Sequence, residues 1–292
     1  MTYTRPITEL VRQRYSCRSY SNQPIQTEAR QKLADFARSL HTGPLGSRSR
    51  FELVTSSDGD QSALKKLGTY GFIKDANGFI VGATKIGEMR MEDFGYQLEC
   101  IVLYATDLYL GTCWLGGTFT KSSFAKKISA NDDEIVPAVI SVGYIAQNPR
   151  RLDALIRRGA RADQRLPWDQ LFFEEDLETP LSTRTAGDYA EPLEMLRLAP
   201  SASNKQPWRV FKAGNRWHFY IQRTSGYKQR KTVRLFTVAD LQRIDMGIAM
   251  CHFELTTIKL GLGGYWERKD PGLHKSDELI EYTVTWLESV GD

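Results

Sequence analysis

The chain repeats one pattern at a constant offset of 152 residues, and this repeat constrains its fold more than any other feature. Segments 93–114 and 245–266 share Asp, Gly, Leu, Leu, Gly and Trp at corresponding positions without a gap. In both segments, small and apolar residues recur at helical spacing over about five turns. Each segment therefore predicts a long, mostly buried helix, and Gly111 and Gly263 are expected to end the two helices as C-caps.

The regions around the two predicted helices also correspond. Two strands are predicted before each helix and one after it. They are 51–54, 79–81 and 138–142 in the first half, and 208–211, 217–221 and 281–286 in the second. We therefore expect an α+β fold in which two tandem units pack together as an intramolecular pseudo-dimer.

The polar segment 148–151 is the predicted boundary between the units. Unit 1 would span 1–150 and unit 2 would span 151–292. Within unit 2, 151–190 is polar and weakly periodic, so we interpret it as a segment that wraps over the molecule. A chain of 292 residues is long enough for two such units.

Composition narrows the possible functions. With 41% apolar and 25% charged residues, the chain is typical of a globular protein, and a formal net charge of +4 suits anionic small ligands rather than nucleic acid. The four cysteines lack CxxC spacing, so we predict no metal site and a reducing compartment. The chain shows neither a membrane-spanning apolar stretch nor a secretory signal, and we expect a cytoplasmic protein without a membrane partner.

Two polar motifs, one in each half, carry the functional signal. The first is Arg14, Ser16 and Arg18, and the second is the segment 199–208, Ala-Pro-Ser-Ala-Ser-Asn-Lys-Gln-Pro-Trp. The arginines offer cations for a phosphate, and the proline-containing loop offers a rigid polar surface for a planar ring. Taken singly, each motif is equally typical of a helix terminus or a turn. Together they predict a flavin site.

These residues resemble the FMN-dependent nitroreductase family. Arg14, Ser16, Arg18 and Tyr20 match its Arg-x-Ser-x-Arg-x-aromatic motif, and 199–208 matches its more specific Ala-Pro-Ser-x-x-Asn-x-Gln-Pro-Trp motif. The long helix followed by Leu-Gly-x-x-x-Trp completes the pattern. The resemblance covers most of the chain and is strongest for the subgroup in which two nitroreductase-like units are fused. It implies the three-layer nitroreductase fold.

The resemblance also implies that both units build one cofactor site. In ordinary members, two subunits supply the two motifs at the dimer interface, whereas here one chain carries both. The counterpart segments have lost the pattern, because 41–49 lacks the asparagine and the Gln-Pro-Trp, and 157–161 lacks the serine. We therefore expect one FMN per chain. We also expect a monomer, because the family's dimer interface would be internal.

The phosphate end of this site would be cationic. Arg14 and Arg18 are four residues apart after a predicted helix at 7–12, so on a helical turn they would share a face beside Ser16. Arg165, before Leu-Pro, would be a third cation, although Asp163 stands where the family commonly has a lysine. Arg18 is alternatively a candidate for the N1 edge of the flavin.

The ring would lie between the proline loop and the glycines that follow the first long helix, whose backbone N–H groups would approach the N5 and O4 edge. Gln206 could instead be structural. The complete set of predicted cofactor-binding residues is Arg14, Tyr15, Ser16, Arg18, Leu115, Gly116, Gly117, Arg165, Pro200, Ser201, Ala202, Ser203, Asn204 and Gln206.

The reaction that the resemblance implies is a ping-pong oxidoreduction. NADH or NADPH would pass hydride to flavin N5, and an electron-poor small molecule, such as a nitroaromatic or a quinone, would then accept it. Hydride transfer needs no protein acid or base, so we predict no catalytic side chain. The alternatives are a flavin-binding protein without turnover (a sensor, store or scaffold) and an interaction module that kept only the fold. Flavin-fragmenting and dehalogenating relatives also remain possible.

Overall fold

In the first half of the protein, the described residues form an antiparallel sheet and four α-helices. The computed structural model describes residues 2–55, 64, 67–117, 119–176, 178–226, 239–272 and 278–289. The helices are α1 (Ile7–Gln13), α2 (Thr27–Ser39), α3 (Arg90–Asp107) and α4 (Lys121–Lys127). The strands are β1 (Ser49–Thr55), β2 (Gly78–Lys85), β3 (Gly111–Leu115), β4 (Glu134–Ile135) and β5 (Val139–Gly143). They are ordered β1-β2-β5-β3, with β4 also beside β2.

In the second half, the part of the chain that the structure describes forms another five-stranded sheet and four further α-helices. The helices are α5 (Arg151–Gly159), α6 (Thr183–Ala186), α7 (Ala190–Arg197) and α8 (Leu241–Lys259). The strands are β6 (Phe172–Glu174), β7 (Trp208–Ala213), β8 (Arg216–Gln222), β9 (Gly264–Glu267) and β10 (Ile280–Glu288). Their order is β6-β7-β8-β10-β9, and only the β6–β7 pairing in this order is parallel.

The structure confirms the α+β class, both long helices and all six predicted strands. It adds β3, β4, β6 and β9, which were not predicted. These strands have two to five residues each, too few to show an alternating pattern. The prediction also assigned the start of β3 to a helix cap.

The predicted glycine C-caps are wrong. Helix α3 ends at Asp107 and α8 ends at Lys259, and the left-handed residues that follow are Tyr109, with φ of 60°, and Gly261, with φ of 70°. The next amides close the helix ends, since Leu110 N–H donates to the Ala105 carbonyl at 2.9 Å and Leu262 N–H donates to the Thr257 carbonyl at 3.0 Å. These pairs keep the 152-residue offset, so the repeat extends to the capping geometry.

Two glycines of the repeat explain the close contact between α3 and α8. A Cβ on Gly247 would overlap the carbonyl oxygen of Glu92, and a Cβ on Gly95 would overlap the carbonyl oxygen of Ile244. Only glycine therefore allows the two backbones to approach this closely. Most of the residues of both helices are buried, and their apolar side chains belong to the main core.

The aspartates of the repeat hold one loop against each long helix. Asp93 accepts hydrogen bonds from the amides of Leu45 and Ser47 at 2.8 and 2.7 Å, and Asp245 accepts one from the amide of Ala202 at 2.9 Å. The loops 41–49 and 199–208 therefore occupy corresponding positions beside the starts of α3 and α8.

Candidate cofactor site

The arginine motif lies in an extended segment that follows α1. Arg14 has φ of −59° and ψ of 129°, and the amide of Cys17 donates to the Thr112 carbonyl of β3 at 2.8 Å. The expectation that Arg14 and Arg18 share a helical face is therefore wrong, because pairing with β3 replaces the helix. Alternate residues of an extended segment point to the same side, so Arg14, Ser16 and Arg18 still share a face.

The proline loop is held in an unusual backbone conformation. Ser203, Asn204 and Gln206 have φ of 54°, 54° and 49°, in the left-handed region that non-glycine residues rarely adopt. The Ser201 hydroxyl accepts from the Gln206 amide at 2.8 Å, and Asp245 accepts from the Ala202 amide. Strain of this kind persists where surrounding contacts over-determine the backbone, and it is typical of ligand-binding segments.

The two motifs meet at one cavity of about 760 Å³, a volume within the range of small-molecule sites. Thirteen of the fourteen predicted cofactor-binding residues line it. They are Arg14, Tyr15, Ser16, Arg18, Leu115, Gly116, Gly117, Arg165, Pro200, Ser201, Ala202, Ser203 and Asn204. Residues from the start of the chain, the end of β3 and the second half are thus brought together.

Gln206 is the exception and lies behind the loop. It is buried, its Oε1 accepts from the Leu166 amide at 2.8 Å and its Nε2 donates to the Asn204 carbonyl at 3.3 Å. It joins the proline loop to the segment that carries Arg165. This position replaces the predicted cofactor contact with a structural role.

The lining of the cavity has an excess of positive charge. Five arginines, Arg12, Arg14, Arg18, Arg157 and Arg165, face two aspartates, Asp163 and Asp245. Asp163 is paired with Arg157. Burial raises the pKa of Asp245 well above its usual value, which favours the neutral acid. The arrangement favours an anionic ligand.

Arg14 and Arg165 are two of the cations of this lining; the Arg14 side chain is buried and Arg165 is half-buried. Burial lowers the pKa of Arg14, and burial together with the charge of Arg14 lowers the pKa of Arg165 to about 10. The Nε of each guanidinium is enclosed by protein without a hydrogen-bond partner. Arg165 donates to the carbonyls of Ala162, Gln164 and Leu198, at 2.9 to 3.1 Å. The terminal nitrogens of Arg14 make no hydrogen bond within the described part of the chain, so they keep hydrogen-bonding capacity for an anion in the cavity.

The chain was also compared with known protein families. The sequence profile of the family described as "Putative TM nitroreductase" matches residues 6–257. The chain belongs to this nitroreductase family. The resemblance expected from the two motifs is thereby confirmed. No curated protein matches the chain significantly.

One solved structure shows the nitroreductase fold over nearly the whole chain. A "putative nitroreductase" of Thermotoga maritima aligns with 98% of this chain and 95% of its own, at 19% identity and a TM-score of 0.59. A "putative nitroreductase" of Desulfovibrio desulfuricans, in complex with FMN, covers 52% of this chain and 95% of its own, at 22% identity and a TM-score of 0.40. An "FMN-dependent Nitroreductase" of Clostridium difficile covers 48% and 88%, at 23% identity and a TM-score of 0.40.

Several lining residues of the cavity were not predicted. Arg157 of α5 lies over the ring of Tyr15, with its guanidinium carbon 5.4 Å from the ring centroid. In the sequence, Arg157 was identified only as part of a lost arginine motif. Asp245 was identified as a repeat position but not as a site residue. The apolar lining from α8, Leu241, Ile244 and Ile248, has the same spacing as ordinary core residues.

No described helix of the protein has the length and apolar character needed to cross a membrane. Within the described ranges, no group of three or more His, Cys, Asp and Glu side chains is arranged to hold a metal ion.

The buried acid of Asp245 predicts a pH-dependent stability. Because the folded protein holds this proton more tightly than the unfolded chain does, the unfolding free energy should fall as pH rises above about 4. The slope from this group is up to about 1.4 kcal/mol per pH unit, until the pH passes the folded pKa. Asp245→Asn keeps the acceptor for the Ala202 amide but has no proton to lose. Urea unfolding at about pH 5 and about pH 8 should show a smaller loss for this variant, and parallel pH curves would contradict the assignment.

Proposed function

We propose that the protein is an FMN-dependent oxidoreductase of nitroreductase type. It takes hydride from NADH or NADPH and passes it to an electron-poor acceptor, a nitroaromatic or a quinone, by a ping-pong mechanism. The observation that carries the proposal is the arginine-rich cavity in which the two motifs of the family meet. When bound, FMN would supply the hydride-accepting N5.

The guanidiniums of the lining fit a phosphate group. Each charge-assisted contact to a phosphate contributes about 1.5–3 kcal/mol, and the terminal nitrogens of Arg14, which have no partner in the described part of the chain, are donors for its oxygens. We propose that Arg14, Ser16 and Arg165 hold the phosphate. Arg18, whose Nη1 donates to the Ser16 carbonyl at 3.3 Å, joins them or lies at the N1 edge of the ring.

The remaining lining residues would contact the ring and the ribityl chain. Gly117 is exposed with open space around its Cα, so its backbone is accessible to a planar ligand. The Asn204 amide group is already engaged, because its Nδ2 donates to the carbonyls of Arg161 and Gln164 at 2.7 and 2.9 Å and its Oδ1 accepts from Arg165 at 3.3 Å. We therefore propose that Asn204 orients Arg165 and that the loop meets the ring through its backbone.

A planar acceptor would find aromatic surface beside this site. Tyr15 and Phe72 both line the cavity, and each is more than one-third exposed. Offset or edge-on contacts with such rings stabilise aromatic ligands by about 0.5–1.5 kcal/mol. The substrate side of the cavity would thus select flat, electron-poor molecules.

One cofactor site per chain is proposed because only one of the two corresponding loops keeps the motif residues. The loop 41–49 corresponds to 199–208 in position but has neither the asparagine nor the Gln-Pro-Trp. We propose that unit 1 (1–150) and unit 2 (151–292) together bind one FMN, and that the protein is a cytoplasmic monomer. Segment 151–190 takes part in the site, since α5 and Arg165 supply lining residues.

Denaturing release of bound flavin tests this proposal directly. We expect one FMN for each polypeptide, measured by absorbance after reconstitution and removal of free flavin. Two FMN per chain would contradict the loss of the second site, and a protein that cannot be reconstituted would contradict the proposed function.

Anaerobic addition of NADH or NADPH to the reconstituted protein then tests turnover. We expect the flavin absorbance to bleach with at least one of the two donors and to return when a quinone is added. A bound flavin that stays oxidised with both donors would favour the flavin-binding protein without turnover.

A further inference from the structure

Arg14, Glu99 and His252 form a buried chain of charged groups behind the cavity wall. Glu99 lies on α3 and His252 on α8, and both side chains are 0% exposed. The Nε of Arg14, whose side chain is 6% exposed, is 3.9 Å from Glu99 Oε1. The same carboxylate oxygen is 2.9 Å from His252 Nε2, and Oε2 accepts from Trp114 Nε1 at 2.8 Å. Arg14 and Trp114 line the cavity, whereas Glu99 and His252 are not part of its lining.

The hydrogen bonds determine how many protons this chain holds. His252 Nδ1 is 2.9 Å from the carbonyl oxygen of Met195, and a carbonyl only accepts, so Nδ1 carries a proton. The 2.9 Å contact between His252 Nε2 and Glu99 Oε1 requires another proton between the two atoms. Whether that proton belongs to the imidazole or to the carboxyl, the Glu99–His252 pair has no net charge.

Arg14 therefore keeps one uncompensated positive charge. The titratable groups that act on Glu99 or Arg14 do not alter this count, since burial raises the pKa values of Tyr3, Cys113 and Cys251 and favours their neutral forms. Arg165 adds further positive charge near Arg14, whereas Arg157 is paired with Asp163. A buried cation without a compensating anion is costly unless a ligand supplies the negative charge.

We propose that His252 is a positioning residue for the flavin phosphate. By sharing a proton with Glu99, it cancels the negative charge of the carboxylate and leaves the charge of Arg14 to the anionic group in the cavity. Trp114 holds the other oxygen of this carboxylate in place through its hydrogen bond. This inference rests on the proposed function, because it takes the anion to be the phosphate of FMN.

Neutral substitutions at the two positions separate this role from simple packing. In His252→Gln, the Gln amide still donates to Glu99, but the shared proton is lost and Glu99 becomes the counter-ion of Arg14. We expect the FMN dissociation constant to rise by about tenfold or more. In Glu99→Gln, the Gln amide donates to neutral His252 and Arg14 keeps its charge, so FMN affinity should change less than about threefold. The double variant should restore near wild-type affinity.

Riboflavin, which lacks the phosphate, is the control ligand, and flavin fluorescence measures both dissociation constants. We expect the riboflavin dissociation constant to stay the same in all three variants. Equal weakening of FMN and riboflavin would mean structural support only and would overturn the inference. So would a Glu99→Gln variant that loses as much FMN affinity as His252→Gln, or a double variant that is not restored.

Nitrogen NMR of histidine-labelled wild-type protein tests the proton count without any substitution. The protein has four histidines. We expect His252 to show a protonated Nδ1 and an Nε2 that shares a hydrogen-bonded proton. An unprotonated Nδ1, or an Nε2 without a hydrogen-bonded proton, would overturn the inference. Wild-type protein that binds no flavin would instead contradict the proposed function, and the inference with it.

Discussion

Replacing both Arg14 and Arg18 by alanine is expected to weaken FMN binding by about 10²- to 10⁴-fold. Each charge-assisted contact to a phosphate contributes about 1.5–3 kcal/mol, and about 1.4 kcal/mol corresponds to a factor of ten. Both residues line the cavity from the same side of the extended segment. Flavin fluorescence measures the dissociation constant, and the purified double variant should lose the yellow colour of bound flavin.

Arg38→Ala is the matched control for this prediction. Arg38 is an exposed arginine of α2 that pairs with Asp35 and does not line the cavity. Its removal changes the net charge without touching the site, so FMN affinity should remain within about twofold. A double variant of Arg14 and Arg18 that keeps wild-type affinity would show that the anion is held elsewhere. Thermal unfolding of both variants checks that loss of the buried Arg14 has not unfolded the protein.

Gly247→Ala is expected to lower the unfolding free energy by at least about 3 kcal/mol, because overpacking a tight contact costs about 1–3 kcal/mol and occasionally more. The added methyl group would overlap the backbone carbonyl of Glu92, which has no side-chain freedom to move away. Helices α3 and α8 must then separate, and the lining residues of α8 move with them. Urea unfolding followed by circular dichroism measures the loss, with FMN affinity as a second readout.

Gly159→Ala serves as the control for this glycine. Its added Cβ would meet no atom within 4 Å, and the residue lies at the end of α5. Its stability should change by no more than about 1 kcal/mol, with a gain expected because alanine restricts the unfolded chain. If Gly247→Ala were as stable as Gly159→Ala, close contact of the two helices would not be a requirement of the fold.

The local order of elements was predictable from the sequence, but the ends of the elements were not. The long helices and six strands follow from hydrophobic spacing within contiguous segments. The C-caps failed because Gly111 starts β3 instead. A Cβ there would come within 2.9 Å of Cys17 Cβ, so the glycine lets the arginine segment lie against the sheet. The need for glycine at position 111 therefore comes from Cys17, 94 positions away, and the residues next to Gly111 do not indicate it.

Some residues of the candidate site were likewise predictable from the sequence, and others were not. The motif residues were predictable because their types and spacing are local, and thirteen of fourteen line one cavity. Gln206 lies outside it because its amide is used to hold the Leu166 segment. Arg157 joined the site without a motif, since α5 packs beside Tyr15.

The family, the repeat and the two polar motifs are recognisable from the amino-acid sequence, because each depends on neighbouring residues or on a constant offset. The three-dimensional packing shows that Arg14, Ser16 and Arg18 share a face through an extended segment rather than a helix. It also decided the charge of the cavity, since Glu99 and His252 meet across 153 residues and cancel each other beside Arg14. Charge compensation depends on distances between atoms, and packing of distant segments sets those distances.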